Sequence, residues 1–164
     1  MKTLVTYMTV TGNTKRVADA IYAEVNGVKD IKPMDEVKSL EDYDLVFIGF
    51  PIMRFGPPDP AKAFIEKNAK GKKVALFMTH AMWSDMEPLK GILAKCKDAA
   101  NCAKVVGMFD CQGEMSEALA KSLLNNSNPE MQKFGQMRAK TMGNPDAADL
   151  TRAKTFVREM TGKA

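Results

Sequence analysis

The chain predicts a doubly wound α/β fold, a three-layer sandwich in which helices cover both faces of a five-stranded parallel sheet. Three observations carry that expectation. Short apolar runs bounded by turn residues recur along the 164 residues, with helical segments between them. Three of these runs, starting at Leu45, Val74 and Val105, are continuous rather than alternating, as strands covered on both faces are. A hydrophobic content of 45% over this length supports one domain with a real core, spanning residues 1–164.

The first strand is expected over residues 3–8, an apolar run ending at Met8. The first helix follows over 14–25, with Val17, Ala20, Ile21 and Val25 as its inward stripe at helical spacing. A weak second strand is placed at 28–33 and the third at 45–50. Asp59 followed by Pro60 reads as an acidic N-cap and a proline at the first helical position of a helix over 59–68. The fourth strand, 73–79, leads to a helix over 86–97, and the fifth strand runs 104–110. An extra helical segment, about 114–143, then exceeds a simple crossover. It is read as a helix over 114–124, a polar break from Asn125 to Pro129, and a helix over 130–140. A final helix covers 145–160.

In such sheets ligands bind beyond the carboxyl ends of the strands, where strand order reverses. The loops at that edge are 9–14, 51–58, 80–85 and 111–113. The first, Thr9-Val10-Thr11-Gly12-Asn13-Thr14, turns from a strand into a helix start. Such a turn presents unpaired N–H donors and the positive end of the helix dipole to an anion, and three threonines add hydroxyl donors. The same residues are also ordinary turn and cap formers, so the loop alone does not decide between the two roles. The spacings G-x-x-x-x-G-K-[ST] and G-x-G-x-x-G are both absent, which argues against nucleoside triphosphates and dinucleotides held in those ways. The second loop, Pro51-Ile52-Met53-Arg54-Phe55-Gly56, and the stretch Thr79-His80-Ala81-Met82-Trp83 add aromatic and thioether groups, including the single His and single Trp. An anion loop flanked by two such loops describes a site for a phosphorylated planar ligand.

At these residues the chain resembles the flavodoxin-like family of FMN-binding proteins. The family's phosphate pattern [ST]-x-T-G-x-T is matched at every fixed position by Thr9, Thr11, Gly12 and Thr14, and its Gly-then-Pro strand end by Gly49 and Pro51. The resemblance spans nearly the whole chain. It implies the strand order 2-1-3-4-5, FMN as cofactor, and an electron-transfer function with partner proteins as donors and acceptors. The chain departs from the pattern at Phe50, where relatives often carry a small hydroxyl residue, and in its net charge of +4, where electron-carrying relatives are acidic.

Trp83 and Phe55 are the candidates for stacking on the flavin, Trp83 being equally suited to cap the hydrophobic edge of the helix that follows it. His80 is a candidate to bond the flavin, or simply to bond a loop backbone. Cys111 stands at the same edge, but neither Asp110 nor Glu114 supplies the positive charge a reactive thiol needs. Met8, Met53, Met82, Met86 and Met115 fall at or near it, as an adaptable rim or as core filler. No metal ligand set is expected, because Cys96, Cys102 and Cys111 lack paired spacing. The lysines from Lys62 to Lys73 have no interleaved aromatic residues, so no nucleic-acid partner is expected. No apolar stretch approaches the roughly 20 residues that span a bilayer, and a cytoplasmic, membrane-free protein is expected.

Three functions follow from these readings. The first is an FMN-dependent electron carrier. The second is an FMN-dependent reductase of a small-molecule acceptor such as a quinone or tetrapyrrole, fed by NAD(P)H or a partner protein, with the extra helices covering the flavin. The third is a cofactor-free binding module. A phospho-acceptor receiver is disfavoured, since Tyr7 and Met8 stand where the first strand would end in Asp.

Overall fold

The computed structural model of the protein describes residues 1–162. The last two residues of the expected domain, 163 and 164, lie outside it. Five strands, β1 (Lys2–Tyr7), β2 (Val28–Pro33), β3 (Leu45–Pro51), β4 (Lys73–His80) and β5 (Lys104–Gln112), form one sheet. All pairings are parallel and the order is β2-β1-β3-β4-β5.

Successive residues of the central strands point to opposite faces, and both faces are apolar. Leu4, Val46, Ile48, Leu76 and Met78 face α2 (Asp59–Asn68) and α3 (Pro88–Asp98). Val5, Leu45, Phe47, Ala75 and Phe77 face α1 (Asn13–Glu24) and α6 (Ala147–Thr161). Each fully buried Leu, Ile or Phe in these layers contributes roughly 1.5–3 kcal/mol, so the two-sided packing dominates the stability of the sandwich. Phe156 of α6 lies edge-on to Phe47 at 6.0 Å, joining the last helix to the central strand.

Several boundaries differ from the sequence reading, each for a local reason. In α1 the buried positions are Thr14, Val17, Ala18 and Ile21, whereas Ala20 is only half-buried. Pro58 caps α2, and Asp59 is already its first residue, so this helix has no carboxylate cap. Met86 and Glu87 precede α3, which begins at Pro88. The stretch expected to open a helix at 114 stays non-helical up to Ser116. The Ser116 hydroxyl accepts from the Leu119 N–H at 3.1 Å and caps α4 (Glu117–Leu124).

Asn128 caps α5 (Pro129–Gln136) in the same manner, and a 3-10 segment, Met137–Thr141, follows. The final helix is fixed at its start by a capping box between Asp146 and Asp149. The sheet edges differ from each other. β2 carries Lys29, Asp30, Lys32 and Pro33, while β5 shifts register against β4 between Val74 and Ala75, leaving Val106 as an extra residue.

Candidate functional site

Between β1 and α1 the chain turns through Gly12, which sits in the left-handed region at φ 91°. That conformation favours glycine, and it lets the loop fold back on itself. The Gly12 N–H donates to the Thr9 hydroxyl oxygen at 3.0 Å. Gly12 supplies no side-chain cap, and the first intrahelical bond is from the Arg16 N–H to the Gly12 carbonyl. The N–H groups of Asn13, Thr14 and Lys15 therefore precede any intrahelical acceptor, which is the arrangement that attracts an anion. Lys15, a cation at the unfavourable end of the dipole, is paired with Asp19 at 2.7 Å, and that hydrogen bond raises its pKa.

The neighbouring loops are tied to this one by short polar contacts. Thr14 is fully buried, and its hydroxyl lies 2.8 Å from that of Thr79 at the end of β4. The Thr79 carbonyl accepts from the Ile52 N–H at 2.8 Å, which brings in the loop after β3. The Asn13 side-chain amide donates to the Glu114 carbonyl at 2.9 Å, bringing in the segment after β5. The buried His80 ring is held at both nitrogens. Nδ1 lies 3.1 Å from the Met82 carbonyl oxygen and donates to it, while Nε2 lies 3.0 Å from Asp110. Gln112 donates to the Ala81 carbonyl at 3.1 Å.

These loops enclose a cavity of about 300 Å³. From the first loop it is lined by Thr9, Val10, Thr11, Asn13 and Thr14. Pro51, Ile52, Met53 and Arg54 contribute from the second, and Thr79, His80 and Ala81 from the third. A fourth wall, Glu114, Met115, Ser116 and Leu119, comes from the extra segment. Sequence reasoning placed Met115 near this edge and, in the reductase reading, the extra helices over the flavin, but it did not name the other three. Their signal was the length of the excursion after β5, and nothing in its composition says which of its residues face the cavity.

Other expected site residues stand elsewhere. Met53 and Gly56 close a tight turn through two mutual backbone hydrogen bonds, with Arg54 and Phe55 both at positive φ, 49° and 62°. Phe55 and Gly56 line a groove against α2 and α3 instead of the cavity, and Met53 and Arg54 border both. Trp83 does not line the cavity and meets Phe134 of α5 edge-on at 6.0 Å. Met82 is buried with Leu89 and Ile92, and Met86 packs on the same cluster. Met8 lines a separate cleft beside Met34 and Phe64. Cys111 is buried toward α6, and burial pushes its thiol up to about 12, so it is no nucleophile at neutral pH. Gly49 is explained by packing, since a Cβ there would sit 2.1 Å from the Phe77 ring.

Comparison with known proteins gives a consistent result. A family model described as "Flavodoxin domain" matches residues 4–158. The flavodoxin-like domain-containing protein BilS of Clostridioides difficile is 31% identical over 180 aligned positions, which cover all of this chain and 98% of that protein. The crystal structure of oxidised flavodoxin 2 from Bacillus cereus aligns over the whole of both chains with a TM-score of 0.63 at 17% identity. A flavoprotein from Lactobacillus acidophilus, solved in complex with FMN, aligns with a TM-score of 0.55 at 22% identity. It covers 66% of this chain and 92% of that one.

Proposed function

Since this chain belongs to the flavodoxin family, we propose that it binds FMN and transfers electrons. One observation carries this reading: the uncapped N-terminus of α1 opens on a cavity whose other walls are mostly apolar. The donor set fits the group. N–H groups of the first turn of α1 and the Thr9 and Thr11 hydroxyls suit a phosphate dianion. Ile52, Met53, Ala81 and Leu119 offer apolar surface to a planar ring. At about 300 Å³ the cavity lies at the lower end of the range for small-molecule sites.

Bound FMN supplies one- and two-electron chemistry; the protein supplies binding, orientation and electrostatics. The loop from Thr9 to Thr14 anchors the phosphate. The loops around Ile52 and Ala81 hold the ring between them, and His80, fixed at both nitrogens, keeps the second of these in place. The electron donors and acceptors are redox partner proteins, and the protein works in the cytoplasm. Among the described residues no helix is long and apolar enough to cross a membrane.

The second reading, a reductase of a small-molecule acceptor, is favoured by the wall from Glu114 to Leu119, which the phosphate loop does not require. One titration separates the two. The visible spectrum of the FMN-loaded protein is followed during stepwise reduction, and NADPH is then tested as reductant. Separate one-electron steps without NADPH oxidation select the carrier, and direct two-electron reduction by NADPH selects the enzyme. Protein that is colourless and leaves added FMN fluorescence unquenched refutes both.

A further inference from the structure

We propose that Asn13 is a positioning residue that couples the filling of the anion loop to the ordering of the extra helical segment over the site. The inference rests on the reading that this loop holds the FMN phosphate. Asn13 faces two ways. Its backbone N–H precedes the first intrahelical acceptor of α1 and is one of the donors left for an anion. Its side-chain amide does not serve the loop but donates to the Glu114 carbonyl, 101 residues away, at 2.9 Å.

Gly113 keeps this seat open. A Cβ on Gly113 would lie 2.6 Å from the Asn13 amide nitrogen and 3.0 Å from the Asn13 Cβ, so any larger residue there displaces the Asn13 side chain. The Gly113 N–H meanwhile donates to the His80 carbonyl at 2.7 Å, which fixes the end of β5 against β4.

Glu114 is where both ends of the excursion meet. Its N–H donates to the Asn144 carbonyl at 2.9 Å, and its carboxylate accepts from the Gly143 N–H at 3.1 Å. One residue on, the Met115 N–H donates to the buried Thr141 hydroxyl at 2.8 Å, and Arg138 Nε donates to the Met115 carbonyl at 3.1 Å. A pull on Glu114 is thus a pull on α4, α5 and the 3-10 segment together. An anion that orders Asn13 orders this junction, and by linkage the closed junction raises affinity for the anion by the same factor.

The test uses the full chain and backbone amide hydrogen exchange over residues 115–141, read without ligand, with saturating FMN and with saturating riboflavin. FMN is expected to slow exchange there more than riboflavin, because only FMN fills the loop. Asn13→Ala and Gly113→Ala should each remove about three- to tenfold of that FMN-specific protection, the range one net hydrogen bond gives. Asn13→Leu, which keeps the approximate size and removes the donor without adding charge, should match Asn13→Ala. Undiminished FMN-specific protection in the Asn13 variants overturns the proposal. So does weaker FMN binding by Asn13→Ala with protection intact in the bound fraction, the pattern of an amide that serves the phosphate directly. If the wild-type chain binds no flavin, the FMN reading fails separately, and inorganic phosphate becomes the probe. Phosphate-dependent slowing that Asn13→Ala abolishes then supports the coupling, and no slowing overturns it.

Discussion

Three threonines share the anion loop, yet only Thr11 is exposed; the Thr9 hydroxyl accepts from Gly12 and that of Thr14 pairs with Thr79. Thr11 therefore carries the hydroxyl whose removal leaves the loop's own bonds intact. Thr11→Val should cost about 1.5–3 kcal/mol of FMN binding, the worth of a hydrogen bond to a charged group, or roughly a 10- to 150-fold rise in Kd. Quenching of FMN fluorescence measures this, and riboflavin affinity should not change. Tyr43 gives a second prediction. Burial, and then its hydrogen bond to Asp30 at 2.7 Å, push its hydroxyl from 10.0 up to about 12. Below pH 10 the phenol is protonated in both states and its contribution is complete. As pH rises toward about 12 the unfolded chain loses the proton first, so stability falls through that window. Tyr43→Phe should flatten the fall, measured by urea unfolding between about pH 9 and about pH 11.

At the scale of elements, the β4–α3 loop and α5 meet through Trp83 and Phe134. Because Trp83 is the single tryptophan, its emission reports this contact directly. Phe134→Ala should red-shift the emission and make it more accessible to acrylamide, with a loss of about 0.5–1.5 kcal/mol beyond the buried area. An unchanged spectrum would show that the loop holds its place without α5. This contact also marks where sequence reading stops. The five strands and the main helices were legible because apolar runs and helical periodicity are local signals, and the anion loop because its residue types and its strand-to-helix position agree. The partner of Trp83 was not legible: an aromatic loop residue suits stacking on a ring ligand or on a protein ring, and what decided was a helix 51 residues later in the chain. The same holds for Asp59, whose cap role fails because Pro58 already holds the capping position, and for Leu119, whose place in the cavity depends on how the excursion folds back.

For the whole molecule the decisive property is charge. The chain's formal net charge of +4 leaves the protein positive, at about +2, once a phosphate dianion is bound, the reverse of the field expected of acidic carriers, so diffusional encounter should favour anionic acceptors. Reoxidation of the reduced protein by ferricyanide should slow as salt is raised, because the Debye length shrinks to about 10 Å at 0.1 M. Reoxidation by the cation hexaammineruthenium(III) should instead quicken, and stopped-flow traces at two ionic strengths decide it. Identical salt responses would mean that the local charges at the cavity mouth, Arg54 and Glu114 among them, outweigh the net field.

The two borders of the sheet complete the picture. A parallel sheet of this order leaves β2 and β5 each with one row of backbone donors and acceptors unmatched by a neighbouring strand. On β2 the charges of Lys29, Asp30 and Lys32 and the closing Pro33 oppose the addition of a foreign strand, and on β5 the extra residue Val106 interrupts the straight template that a foreign strand would need. The architecture that gathers the loops around one cavity therefore carries, on both flanks, a border that disfavours edge-to-edge strand addition.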